Sequence, residues 1–141
     1  MLNTVANLSL IHVVAAIIVS SDSRQVLLAK RPSHKHQGGK WEFPGGKVEP
    51  NELAHEALVR ELAEELGIQT SSEQMQLFQE VRHTYPEKQV HLEFWWVQGF
   101  SGNPLGLEGQ EVQWFTWSAL SGLIFPEANQ PIVQRLIELN S

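Results

Sequence analysis

The stretch from Gly45 to Ile68 constrains this chain more than any other, because it pairs glycines with a carboxylate-rich, helix-periodic run. At about 100° per residue, Leu58, Leu62 and Leu66 fall on one stripe of a helix, and Glu61, Glu64 and Glu65 fall on the adjoining arc. The expected element is a loop followed by a helix. Asn51 after Pro50 reads as its N-cap, Glu52 as negative charge in its first turn, and Gly67 as the left-handed residue that closes it.

Such a helix is poorly composed for stability alone. Between Glu52 and Glu65 there are five glutamates and one arginine. Glu61 and Glu65 are like charges one turn apart, which costs roughly a few tenths of a kcal/mol. Arg60 has Glu56 and Glu64 within helical reach, so other carboxylates are left unpaired. Composition alone describes an acidic, solvent-facing helix. A divalent cation gives the cluster a purpose, since Mg²⁺ takes hard oxygen ligands and is commonly shared between carboxylates and substrate phosphates.

The spacing goes further. From Gly46 the residues follow G-x5-E-x7-R-E-U-x-E-E-x-G-U, with U apolar, filled by Gly46, Glu52, Arg60, Glu61, Leu62, Glu64, Glu65, Gly67 and Ile68. That is the Nudix box with every fixed position matched, and on it the chain resembles a Nudix hydrolase.

The chain's 141 residues, 42% apolar, suit one compact domain with a substantial core. With no cysteine, disulfides and thiolate metal sites are excluded, which fits a reducing compartment, and any metal site must use oxygen or imidazole ligands. The first basic residue is Arg24, so the apolar stretch 10–19 lacks the basic start of a signal peptide and is too short to span a bilayer. A cytoplasmic protein without membrane attachment is expected. The net charge of −6 disfavours a stable nucleic-acid partner and leaves room for a small anionic ligand screened by metal.

Val13 to Val19 has the near-continuous Val/Ala/Ile character of a strand buried on both faces, and Ser20 to Ser23 turns it back into Gln25 to Lys30. Residues 32–40 form a polar loop whose His34 and His36 read as solvated by loop setting. Met75 to Thr84 and Gln89 to Phe100 are expected strands around a turn at Tyr85–Lys88, with Trp95 and Trp96 on opposite faces as core fillers. Gly99 to Gln110 is a long flexible loop whose one acid, Glu108, is either solvated or a ligand or proton acceptor brought to the box. Glu111 to Trp117 is a strand, Ser118 caps a short helical turn, and Ala128 to Leu139 is a closing helix broken early by Pro131. Helix-start statistics favour Asn129 as a cap.

The resemblance extends beyond the box, through Leu28–Arg31, Trp41–Lys47, Gly106–Gln110 and Phe125–Pro131, to the branch of that family that hydrolyses 8-oxo-dGTP. It implies an α+β Nudix fold, a mixed β-sheet sandwiched between α-helices, forming one domain over 1–141 with the box at 46–68. It also implies Mg²⁺, with Mn²⁺ as a substitute, held by the Gly45 carbonyl and by Glu61, Glu64, Glu65 and Glu108. Arg60 and Glu52 would orient helix and loop; Arg31, His36 and Phe43 would contact substrate; Asn129 would read the purine. The partner would be a nucleoside triphosphate acted on by a monomer, with attack at the β phosphorus. The rival readings are a Nudix enzyme for another nucleoside diphosphate-linked substrate, such as a pyrimidine triphosphate, and a non-catalytic module of the same fold.

Overall fold

The computed structural model describes residues 9–34 and 38–141. Alternating burial along the strands builds one mixed sheet from β1 (Ser9–Val19), β2 (Gln25–Lys30), β3 (Trp41–Glu42), β4 (Gly45–Lys47), β5 (Met75–Tyr85), β6 (Lys88–Val97) and β7 (Glu111–Thr116). The order is β3-β2-β1-β6-β5, with β4 added to β1 and β7 to β2. β1 and β6 run parallel from Ser9↔Lys88 to Ile18↔Val97, and the other pairs are antiparallel. On its other edge β1 is shared: β4 pairs with Val13–Ala15, and β2 with Ile18 and Val19. The sheet therefore forks on that side.

Two helices cover the faces. Val14, Ala16 and Ile18 of β1 pack with Leu58, Leu62 and Leu66 of α1 (Ala54–Leu66), while Ala15 and Ile17 join Ile132, Val133 and Leu136 of α2 (Gln130–Leu139). The pleat sends successive residues to opposite sides, which is why β1 is apolar from Val13 to Val19, where both faces are covered. Each fully buried leucine of α1 contributes roughly 1.5–3 kcal/mol by leaving water. Trp95 joins the α1 layer and Trp96 the α2 layer, as their adjacency requires. No described helix is long and apolar enough to cross a membrane.

Several boundaries differ from the sequence expectation for local reasons. The glycines of the box open on strand β4, because they pair with β1, and only then does the chain loop. Asn51 takes φ 67°, the left-handed turn conformation, and Glu52 precedes the helix, so neither occupies its expected place at the N-terminus. Instead α1 begins at Ala54, and Glu56 accepts the Leu53 amide at 2.9 Å. Gly67 closes the helix at φ 71°, ψ 20°, as expected. Thr116, not Ser118, precedes the turn Trp117–Gly122. Pro131 does not break α2; it lies in the first turn, where a missing N–H costs nothing. Tyr85 and Lys88 are strand residues, leaving only Pro86 and Glu87 as the turn.

Candidate active site

Sequence spacing and the fork in the sheet meet at Gly45 and Gly46. A methyl on Gly45 would collide with the Val14 carbonyl across the β1–β4 ladder, and one on Gly46 would occupy the Glu61 carboxylate's position. The paired glycines thus let strand, loop and helix approach until the Glu61 carboxylate packs on bare backbone.

Arg60 fastens the loop to the helix. Its Nε and Nη2 donate to the two Glu52 oxygens at 2.8 and 2.9 Å, Nη1 donates to Glu61 at 2.8 Å and Glu64 at 3.4 Å, and Nη2 reaches the Lys47 carbonyl at 3.1 Å. Of the two carboxylates within helical reach, Arg60 thus engages Glu64, its longest contact, while its shorter bonds go to Glu52 and Glu61. The guanidinium holds the Glu52 carboxyl down at about 2, with help from the Glu49 amide. Glu52 stays charged as a fixed counter-ion, unlike the high-titrating cluster that like-charge crowding alone would give.

Glu65 behaves oppositely. Burial, the neighbouring Glu61 charge and a hydrogen bond between the two carboxyls push it up to about 9, with Glu108 and Glu42 adding to the rise. Its Oε2 is buried and has no hydrogen-bond partner among the described residues. An orphaned buried carboxylate oxygen beside other carboxylates is a hard-oxygen donor set that fits a divalent cation. Gly45, Glu61, Glu65 and Glu108 line one cavity with Arg31 and Glu42, and these are the residues that would hold it. Glu64 stands apart, its side chain about half exposed on the solvent side of Arg60.

The loop carrying Glu108 is tied to the C-terminal end of α1. Leu105 and Leu107 donate amides to the Leu66 and Glu65 carbonyls at 3.0 Å each, and Gln110 Nε2 donates to the Glu65 carbonyl at 3.2 Å. These bonds satisfy helix-end acceptors and bring Glu108 to the cavity rim.

A second cavity of about 280 Å³ opens on the α2 face and shares Arg31, Glu42 and Gly45 with the acidic one, so the two form a single cleft. Its walls are mainly apolar, with Phe43 stacked on Phe125 at 5.8 Å and Val90 and Leu92 among the lining, while Arg31, Lys47 and Lys88 bring positive charge to it. Asn129 sits at its end, 7% exposed, and its side chain makes no capping hydrogen bond to α2. Arg31 donates to Glu42 at 2.7 Å across the junction. His36 lies outside the described residues. Sequence reading passed over Glu42, Tyr85 and Lys88, all of which line the cleft. Strand alternation places Glu42 beside Phe43 and offers a signal for it, but Tyr85 and Lys88 look like turn residues.

Because a cation at Glu65 must displace its proton, Mg²⁺ affinity should tighten by up to about tenfold per pH unit while Glu65 remains protonated and level off near its pKa of about 9. Calorimetry in buffers of different ionisation enthalpy should detect close to one proton released near neutrality. Affinity flat from pH 6 to 8.5 would remove Glu65 from the ligand set.

The fold, the complete box and this cleft define a Nudix hydrolase. The chain belongs to the Nudix family, whose NUDIX domain model matches residues 14–135. Among its relatives, the 8-oxo-dGTP diphosphatase of Escherichia coli (strain K12) is 35% identical over 126 residues, covering 89% of this chain and 96% of that protein. The CTP pyrophosphohydrolase of the same strain is 39% identical over 138 residues, covering 95% and 96%. A solved structure from work on MutT of Aliivibrio salmonicida and Vibrio cholerae superposes with TM-score 0.81 at 43% identity, covering 93% of this chain and 99% of that one.

Proposed function

We propose that this enzyme hydrolyses 8-oxo-dGTP to 8-oxo-dGMP and pyrophosphate with Mg²⁺, clearing the oxidised nucleotide before a polymerase can use it. The observation that carries the reading is the continuous cleft: an acidic cavity that suits metal and phosphates opens into an apolar pocket ending on a buried, uncapped Asn129. The relatives named 8-oxo-dGTP diphosphatase supply the substrate class.

The cation neutralises phosphate charge and lowers the pKa of water, which is the chemistry this carboxylate set would recruit. Gly45, Glu61, Glu65 and Glu108 would hold it, with Glu64 available from the solvent side. Arg60 and Glu52 fix the angle between loop and helix so that those carboxylates converge. Arg31 offers positive charge to the phosphates, Phe43 packs the base, and Glu108 at the rim takes the proton from the attacking water. Water adds at the β phosphorus, the bond to the oxygen bridging α and β breaks, and that oxygen leaves on the nucleoside monophosphate.

The CTP pyrophosphohydrolase relative, with higher identity over more of this chain, favours a second reading in which a pyrimidine triphosphate is the substrate. A panel of 8-oxo-dGTP, dGTP, CTP and dCTP with Mg²⁺, with products identified by mass, separates them. The expected result is preference for 8-oxo-dGTP and no turnover in excess chelator. Preference for CTP would replace the first reading with the second, and full turnover in chelator would overturn the metal assignment.

A further inference from the structure

The parallel pairing that builds the sheet places His12 opposite His91, and Val14 opposite Glu93, on adjacent strands. Strand alternation sends Ile11, Val13, Val90 and Leu92 into the α2-side pocket and His12, His91 and Glu93 to the other face. The three residues line neither cavity of the nucleotide cleft. Their imidazoles stack at 4.7 Å and 8°, His12 Nε2 lies 2.5 Å from Glu93 Oε2, and one ligand atom from each residue falls within 4.8 Å of the others.

We propose that His12, His91 and Glu93 form a second cation site, of the zinc class, distinct from the box carboxylates. Two imidazole nitrogens and a carboxylate make a donor set that suits zinc or cobalt and suits magnesium poorly. In a tetrahedral site with bonds of about 2.0–2.1 Å, ligand atoms sit roughly 3.3 Å apart, so admitting the ion requires side-chain shifts of about an ångström. The outer partners are in place: Glu80 Oε1 pairs with His91 Nε2 at 2.7 Å, and Trp95 Nε1 donates to Glu93 Oε1 at 3.1 Å. Contacts of that kind fix ring and carboxylate orientation around a metal. Glu93 is 9% exposed, whereas the His12 side chain is 36% exposed and leaves a way in from solvent. Glu93 and Glu80 supply two negative charges opposite two imidazoles, matching a divalent ion. The simpler account is two separate histidine–carboxylate pairs, His12–Glu93 and His91–Glu80, set side by side by the strand register; the metal titration below separates the two. Occupied, the site would cross-link β1 and β6, whose opposite face floors the base pocket.

The test uses tag-free protein, stripped by chelator and then saturated with Mg²⁺ to occupy the box, titrated with Co²⁺ and Zn²⁺. The expected result is one equivalent of Co²⁺ with tetrahedral ligand-field bands, displaced by Zn²⁺, with imidazole scattering in X-ray absorption. His91→Gln and His12→Gln should each weaken binding by at least about tenfold while hydrolysis of the preferred nucleotide continues, and Glu65→Gln should leave the affinity unchanged. No Co²⁺ bands, an affinity in both histidine variants equal to the parent's, or loss of the site in Glu65→Gln would overturn the proposal. Circular dichroism and melting curves on each variant ensure that lost binding is read on folded protein.

Discussion

Glu65→Gln should lower turnover by at least about a hundredfold, roughly 3 kcal/mol of transition-state stabilisation, in a protein that still folds. Glutamine keeps the shape of the side chain and can donate to the Glu61 carboxylate as the protonated Glu65 carboxyl does, so the metal-free fold persists, while the negative charge that a cation would draw from Glu65 by displacing its proton is lost. The effect on stability has a definite sign. The Glu65 carboxyl is raised from 4.5 to about 9 in the folded chain, so the native state holds a proton that the unfolded state releases, and metal-free stability falls as pH rises through that window. Glu65→Gln should flatten that fall and also abolish most of the stabilisation that saturating Mg²⁺ gives the parent. Melting curves from pH 5 to 9, with and without Mg²⁺, measure both. The control is Glu56→Gln: Glu56 accepts the Leu53 amide at the start of α1 and faces no cavity of the cleft, so turnover should persist. Equal loss in both variants would mean that the ligand face of α1 has been misassigned.

Asn129→Ala should collapse discrimination between 8-oxo-dGTP and dGTP while metal-dependent chemistry continues on whatever nucleotide binds. Oxidation at C8 turns N7 from an acceptor into an N–H donor and adds a carbonyl, while O6 remains an acceptor. An Asn amide offers one acceptor and two donors, so it can meet the N7 proton or bond O6, and guanine presents a lone pair where a proton is wanted. A buried polar group left facing a like partner costs about 1–3 kcal/mol, which sets the expected loss of preference at roughly ten- to a hundredfold. The absence of a side-chain cap bond on α2 argues against the alternative, in which Asn129 only starts the helix. An unchanged preference with a lowered melting temperature would restore that alternative. The measurement is kcat/KM on both nucleotides, with thermal melts alongside.

The buried stripe of α1 and the carboxylate arc beside it were legible from the chain because they depend on local periodicity: leucines one turn apart must stack, and glutamates at the adjoining positions must border them. Gly67 was legible for the same reason, since a left-handed closing residue is a local demand. The start of the helix was not. Pro50–Asn51–Glu52 reads as a cap by residue type, yet Glu52 is drawn to Arg60, eight residues on, and that tertiary bond moves the first helical turn to Ala54.

The family was legible in the box spacing, and the α+β layering was what that resemblance implied; periodicity alone gave only a mixed order of strands and helices. What only the tertiary structure decided is which groups share space. Glu65 and Glu64 are neighbours in the chain, but helical rotation under the glycine strand buries one and leaves the other in solvent. Tyr85 and Lys88, read as turn residues, become cleft walls because β5 and β6 extend through them. His12 and His91 lie 79 residues apart and meet only through the parallel register of β1 and β6. Local periodicity is set by backbone geometry and can be read along the chain; register and burial depend on non-local pairing and appear only when the sheet is assembled.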